Sequence, residues 1–148
     1  LIFYLISVAV FVVDQFLKAL AKSSFASGGT ITLIKKLVYF TYIENRGAAF
    51  GLFQGQRILL ILISLAVACV VVYFHLKTSK NSNLQIPLAF IFGGTVSNLV
   101  DRIFRSFVID YIDLRFWPIF NVSDVMINLG VLLLILRIVF SKSGGKEF

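Results

Sequence analysis

The sequence predicts an all-α membrane protein, a bundle of four transmembrane helices carrying a small β-cradle and a short loop. Three observations point there. Hydrophobic residues make up 59% of the chain and charged residues only 14%, well beyond what the wetted surface of a soluble domain allows. Four apolar stretches approach or reach the roughly 20 residues that cross a bilayer. The few ionisable residues inside those stretches recur at one depth. The 148 residues suffice for one domain, so positions 1–148 are read as a single integral membrane unit.

The first span covers about Leu1–Ala21. It could pass for a secretory signal, but it lacks a small-residue cleavage site and carries Asp14 and Lys18, so it reads as a retained helix. The chain starts at Leu1 rather than Met, so further residues are expected ahead of it. The long segment Ser23–Gln54 follows. Within it Ile31–Ile43 is rich in β-branched and aromatic residues, and Asn45-Arg46-Gly47 is a turn candidate. This predicts a small sheet over about 23–54, lying against the membrane surface. The second span, about Arg57–Leu76, is the cleanest, and Lys77–Asn83 is a short, polar, basic connection. The third, about Leu84–Ile103, contains Gly93-Gly94 and ends in a polar cluster. Phe104–Phe120 mixes apolar and charged residues and ends near Trp117-Pro118. It reads as a short loop at the interface with an aromatic anchor. The fourth span, about Asn121–Phe140, begins with a polar cluster, and the polar tail Ser141–Phe148 is expected to be disordered.

The 14 Lys and Arg against 7 Asp and Glu give a net charge of +7. In an apolar chain this points to membrane lipids with anionic headgroups. No basic stripe with interleaved aromatics suggests nucleic acid. Cys69 is alone, so no intrachain disulfide can form, and with a single His75 no zinc or copper constellation is available. No metal and no cofactor is expected. Packing suffices to explain Cys69, and an interfacial position His75. Four spans put both termini on one side, yet charge does not orient the chain. Lys77, Lys80, Lys142 and Lys146 lie on the side of the termini, and Lys22, Lys35, Lys36, Arg46, Arg105 and Arg115 on the other.

A charge within hydrocarbon costs about 2.5–3.5 kcal/mol on insertion scales, so the polar residues of the spans are functional candidates. Asp14 and Lys18 lie toward the end of the first span. Asn98, Asp101 and Arg102 end the third, and Asn121 and Asp124 start the fourth. With alternating direction, all reach one face of the membrane. Asp14 and Lys18 are spaced i,i+4 on one helix face. Asn98, Asp101 and Arg102 form a second stripe, and Asn121, Asp124 and Asn128 a third. Together they predict a polar pocket near headgroup level, open sideways to lipid. Simpler roles exist for each. Asp14 and Lys18 can be a buried ion pair that fixes packing. Arg102 can brace carboxylates, and Asn98 and Asn121 can join helices. Asp110 and Asp113 can be solvated loop charges, and Asp124 a helix cap.

Five runs narrow the choice. Val13-Asp14-Gln15-Phe16-Leu17-Lys18, Asn45-Arg46-Gly47-Ala48-Ala49-Phe50-Gly51, Gly93-Gly94-Thr95-Val96-Ser97-Asn98-Leu99-Val100-Asp101-Arg102, Val108-Ile109-Asp110-Tyr111 and Phe120-Asn121-Val122-Ser123-Asp124 resemble, in order, the sequence boxes of lipoprotein signal peptidase (signal peptidase II). The match extends from the first span to the fourth. The resemblance implies a four-helix bundle in the bacterial cytoplasmic (inner) membrane. Both termini are then cytoplasmic, with the β-cradle, the loop and the active site on the extracytoplasmic side. It implies an aspartyl endopeptidase whose substrates are lipid-modified prolipoproteins, cut just before the diacylglyceryl-modified Cys. By motif position the catalytic pair falls on Asp110 and Asp124. The supporting or substrate-binding residues fall on Asp14, Lys18, Asn45, Gly47, Asn98, Asp101, Arg102 and Asn121. The family commonly has Ala where this chain has Ser123, and the stretch between Asp110 and Asp124 looks short. A monomer is expected.

Two close carboxylates share a proton, so one can activate water while the other protonates the scissile carbonyl. The cradle, with Asn45 and Gly47 near its tip and the small Ala48-Ala49 beyond, is expected to close over the scissile bond. Asp101 is a rival for the second catalytic role, and with Arg102 beside it the poorer proton carrier. A small transporter using intramembrane carboxylates is the competing class. It fits less well, because the polar positions stop at one leaflet. A lipid-binding scaffold that needs neither aspartate is a third.

Overall fold

The computed structural model describes residues 1–48, 52–80 and 82–143. Its elements in chain order are α1 (Ile2–Phe25), β1 (Ile31–Ile34), β2 (Val38–Asn45), α2 (Arg57–Lys77), α3 (Gln85–Phe104), β3 (Val108–Asp113) and α4 (Val122–Ser143).

The helices are inside-out relative to a soluble bundle. On α1 the buried stripe is Phe3, Ser7, Val10, Asp14, Lys18, Ala21 and Phe25, spaced by three or four residues. It includes a full ion pair, while Val8, Val12, Val13 and Phe16 face outward. Outward apolar side chains around an inward polar stripe are what a lipid solvent selects. Ile2–Phe25, Arg57–Lys77 and Val122–Phe140 are long and apolar enough to cross a membrane. Helix α3 falls short of that apolarity for a visible reason. It packs against all three other helices, and twelve of its residues are buried, Thr95, Ser97, Asn98 and Asp101 among them.

Glycine makes that central position possible. A Cβ on Gly93 would sit 2.7 Å from the Ser7 carbonyl oxygen of α1. One on Gly94 would sit 2.6 Å from the Ser123 carbonyl oxygen of α4, and one on Gly130 2.7 Å from the Pro87 carbonyl oxygen of α3. Small residues let helix backbones approach closely where no hydrophobic effect drives association.

The sheet is antiparallel, in the order β1-β2-β3. Two features depart from the expected elements. Val108–Asp113 is a strand, not part of a loop, and it extends the cradle by pairing Asn45 with Val108 and Ile43 with Asp110. The predicted loop is therefore reduced to the turn after Asp113. The turn is closed by Phe120, which bridges back to Ile112 through N–H···O bonds of 2.8 and 3.1 Å. Secondly, α4 continues to Ser143, so the expected disorder does not begin at Ser141, and positions 144–148 lie outside the described residues. At the turn Asn45-Arg46-Gly47, the Gly47 N–H donates to Asn45 Oδ1 at 2.9 Å. This local turn ends β2. Ala49, expected to help the cradle close, lies outside the described residues, as do Phe50 and Gly51 of the same run.

The sheet docks on the end of α1 through a core of Ala21, Ile109 and Tyr111, with Leu17, Phe40 and Val122 around it. A second core, Phe3, Val71, Leu88, Ala89 and Ile91, holds the opposite end. There His75 stacks on Phe3 at 3.8 Å and meets Gln85 Oε1 at 2.6 Å. Replacing Gly94 with Ala should force α3 and α4 apart at the first turn of α4. Overpacking of this kind costs about 1–3 kcal/mol, and thermal unfolding in detergent should show it as a lowered midpoint. An unchanged midpoint would contradict the close contact.

Candidate active site

Asp124 sits in the first turn of α4, and the start of that helix explains its position. Asn121 precedes the helix. Its Oδ1 accepts the Asp124 N–H at 2.9 Å, while Asp124 Oδ2 accepts the Asn121 N–H at 3.2 Å. This reciprocal cap satisfies two of the free N–H groups at a helix start. The predicted capping role of Asp124 is therefore real, and it leaves Oδ1 for Asn98, whose Nδ2 donates at 2.9 Å.

Asp110 lies mid-strand on β3. Asn121 Nδ2 donates to its Oδ1 at 2.7 Å and Asn45 Nδ2 to its Oδ2 at 2.9 Å. One side chain, Asn121, thus holds both aspartates. The Phe120–Ile112 bridge brings it there across the turn. Asp110, Asp124, Asn45, Asn98 and Arg102 line one cavity of about 1060 Å3, with Trp117, Val125, Leu129 and Leu132 as its apolar part. Burial, then the negative charge of Asp124, pushes the Asp110 carboxyl up to about 7, against the lowering effect of the Asn45 and Asn121 amides.

Behind this pair lies an ionic cluster whose Asp14, Lys18 and Asp101 are fully buried and whose Arg105 lies partly buried at its edge. Lys18 Nζ contacts Asp14 Oδ2 at 2.6 Å and Asp101 Oδ2 at 2.9 Å, and donates to Asn98 Oδ1 at 2.8 Å. Asp14 also accepts from Ser97 Oγ and Ser123 Oγ, each at 2.6 Å, from the Ser123 N–H at 3.2 Å and from the Tyr111 hydroxyl at 2.8 Å. Asp101 accepts from Arg105, from Gln15 Nε2 at 3.0 Å and from the Ile109 N–H at 3.3 Å. Two carboxylates and two cations balance the charge, as burial in a low dielectric requires. The Tyr111 hydroxyl, held protonated by burial and by the Asp14 charge beside it, accepts the Val122 N–H at 3.1 Å.

The predicted residues therefore separate into two groups. Asn45, Asn98, Arg102, Asp110 and Asp124 face the cavity. Asp14, Lys18, Asp101 and Asn121 have no exposed surface and hold the elements that present the first group. Gly47 is buried, and its carbonyl accepts from Arg102 Nη2 at 3.4 Å. One detail is corrected. The cations that hold Asp101 are Lys18 and Arg105, not the adjacent Arg102, which turns to the cavity instead. Asp113 is paired with Arg115 at 3.3 Å rather than solvated. Sequence reasoning did not single out Gln15, Ser97, Arg105 or Tyr111. Only Arg105 carried a readable signal, its i,i+4 spacing from Asp101. Ser123, noted as a small change, supplies two of the donors to Asp14. Among the described residues no group of three His, Cys, Asp or Glu side chains is arranged to hold a metal ion.

Lys18→Met should leave Asp14 and Asp101 buried without their shared cation. Breaking a buried pair this way costs about 3–5 kcal/mol. Tyr111→Phe removes one donor to Asp14 and the acceptor for Val122, worth about 1–3 kcal/mol. Unfolding midpoints should fall in that order, and the reverse order would refute the cluster's role.

The chain is similar to known proteins over most of its length. A lipoprotein signal peptidase of Halothermothrix orenii is 37% identical over 133 residues, covering 90% of this chain and 92% of the relative. One of Caldanaerobacter subterraneus is 41% identical over 122 residues, covering 82% and 84%. A bacterial membrane enzyme solved by the in meso method at 2.3 Å resolution superposes with a TM-score of 0.92 at 29% identity, covering 99% of this chain and 92% of its own. The family model for signal peptidase (SPase) II matches residues 6–140, and the chain, a multi-pass membrane protein, belongs to that family.

Proposed function

We propose that this chain removes signal peptides from lipid-modified prolipoproteins, cutting before the diacylglyceryl-modified Cys, with Asp110 and Asp124 as its catalytic pair. The observation that carries the reading is the Asn121 side chain, which binds Asp110 and the first turn of α4 at one cavity. Asp110, with its carboxyl near 7, suits a proton held between two acids at neutral pH. The ionised member draws a proton from water, the water attacks the scissile carbonyl, and the protonated member donates to the carbonyl oxygen. The C–N bond then breaks as the proton taken from water passes to the leaving amine, and the proton on the former carbonyl oxygen returns to the pair as the new carboxyl forms. Arg102 and Asn45 flank the reacting bond.

All four helices cross the bacterial inner membrane in this reading, α3 shielded from lipid by its neighbours. Both termini are then cytoplasmic. The sheet and the cavity face the extracytoplasmic side, where the cavity opens to the lipid chains of the substrate. A monomer working among membrane lipids is the form this reading takes. The transporter reading has no support. Family membership points to a peptidase, and Asp14 and Asp101 are bound by Lys18 and Arg105 rather than free to carry an ion. The same contacts weigh against Asp101, the rival to Asp110.

Asp110→Asn and Asp124→Asn should each lower cleavage of a lipidated prolipopeptide in detergent by at least about a hundredfold, with unfolding midpoints close to the wild type. Normal turnover by either protein removes the pair. In the wild type, kcat/KM should fall as pH rises through about 7, where the shared proton leaves. Asn45→Ala takes a donor from the ionised form of Asp110, so the proton is held more tightly and that alkaline limb should move upward. A limb that stays put, or moves down, contradicts the assignment.

A further inference from the structure

The polar stripe on α4 has a third member that neither the helix cap nor the aspartate pair uses. Asn128 lies one turn beyond Asp124, is exposed, and lines the same cavity next to Leu129 and Leu132. The helix surface beyond it is apolar and exposed, with Leu132, Ile135 and Leu136. A carboxamide on such a surface is costly unless hydrogen-bonded. Its Nδ2 donates to the Asp124 carbonyl oxygen at 2.8 Å. No donor among the described residues reaches its Oδ1. The amide therefore presents an acceptor to the cavity.

A peptide bond inside a helix is shielded, so a signal helix must unwind where it is cut. Unwinding at the bilayer edge frees backbone N–H groups that lipid cannot satisfy. Four residues of α-helix rise about 6 Å, and two residues of extended chain span about 6–7 Å. An extended peptide whose reacting carbonyl lay at Asp124 and which ran along α4 would therefore bring an N–H about two residues away to the height of Asn128.

Resting on the function given above, we propose that Asn128 is a substrate-binding residue. Its Oδ1 accepts a hydrogen bond from the backbone N–H of the signal peptide about two residues before the scissile bond. It thereby holds the unwound segment extended, whatever side chain that substrate residue carries.

The test uses purified full chains in detergent and a lipidated prolipopeptide. Companion peptides carry an ester in place of the amide N–H at the second or the third residue before the bond. For the wild type, one ester should cost about tenfold in kcat/KM, the worth of one hydrogen bond. Asn128→Val should show the same loss on the all-amide peptide, no further loss with that ester, and an unchanged unfolding midpoint. The proposal is overturned if Asn128→Val cleaves like the wild type, or if the ester costs both proteins equally. If the variant does not fold, the wild type alone decides: absence of a tenfold loss at either ester rejects it. Failure of the wild type to cleave any peptide would reject the peptidase reading itself. Cleavage by the wild type but not by Asp124→Asn, with Asn128→Val unaffected, would reject only the role of Asn128.

Discussion

The contact on which the rest depends is the Lys18 ammonium held between Asp14 and Asp101. It joins α1 to α3 where no water can reach. Removing either carboxylate or the ammonium would strand charge in a low dielectric, so the three groups exist only together. Asp14 then carries the link to α4 through Ser123 and to β3 through Tyr111. Asp101 carries it to β3 through the Ile109 N–H. Strand and helix, the carriers of the two cavity aspartates, are thereby referred to a single buried centre. In a lipid solvent this is a logical place for cohesion. Apolar contacts between helices gain little over contacts with lipid tails, whereas paired polar groups have no alternative partner there.

Close approach complements polarity. Gly93 and Gly94 are consecutive, so they face different neighbours, α1 through Ser7 and α4 through Ser123. The Ser123 carbonyl that touches Gly94 belongs to the same residue whose N–H and hydroxyl bind Asp14. Backbone contact and buried hydrogen bonds thus fix one turn of helix from two sides, and that turn carries Asp124.

Much of this was legible in the residues. Helices α1, α2 and α4 follow from apolar length, and α3 from a weaker apolar run interrupted by its buried polar residues. The i,i+4 spacing of Asp14 and Lys18 is a helix ion pair, and Asn121-x-x-Asp124 ahead of an apolar run is a cap. The strand character of Val108–Asp113 was not recognised, because six residues that mix apolar and acidic types between two helices resemble a solvated turn. Pairing with β2 decides it, and that pairing joins positions over 60 residues apart, Asn45 and Val108. The hydroxyls of Ser97, Ser123 and Tyr111 gain their meaning only from Asp14, which the fold brings to them. Local spacing carries no trace of such a convergence. Arg105 is readable from Asp101 by its i,i+4 spacing, yet Arg102 stands next to the same carboxylate in sequence and is the nearer candidate.

Strand β3 presents Asp110 and Tyr111 to opposite surfaces, one to the cavity and one to the ionic centre, as alternate strand residues must. The Phe120–Ile112 bridge ends the excursion that follows. The length of chain between those two paired positions therefore does not set where Asp110 and Asp124 stand, although Trp117, Pro118 and Ile119 within it wall the cavity. Beside the exposed Phe116, ahead of that wall, is the natural place for length variation: added residues would bulge outward, leaving strand register and helix start untouched. An affinity tag or fluorophore inserted beside Phe116 would leave the buried ionic centre undisturbed.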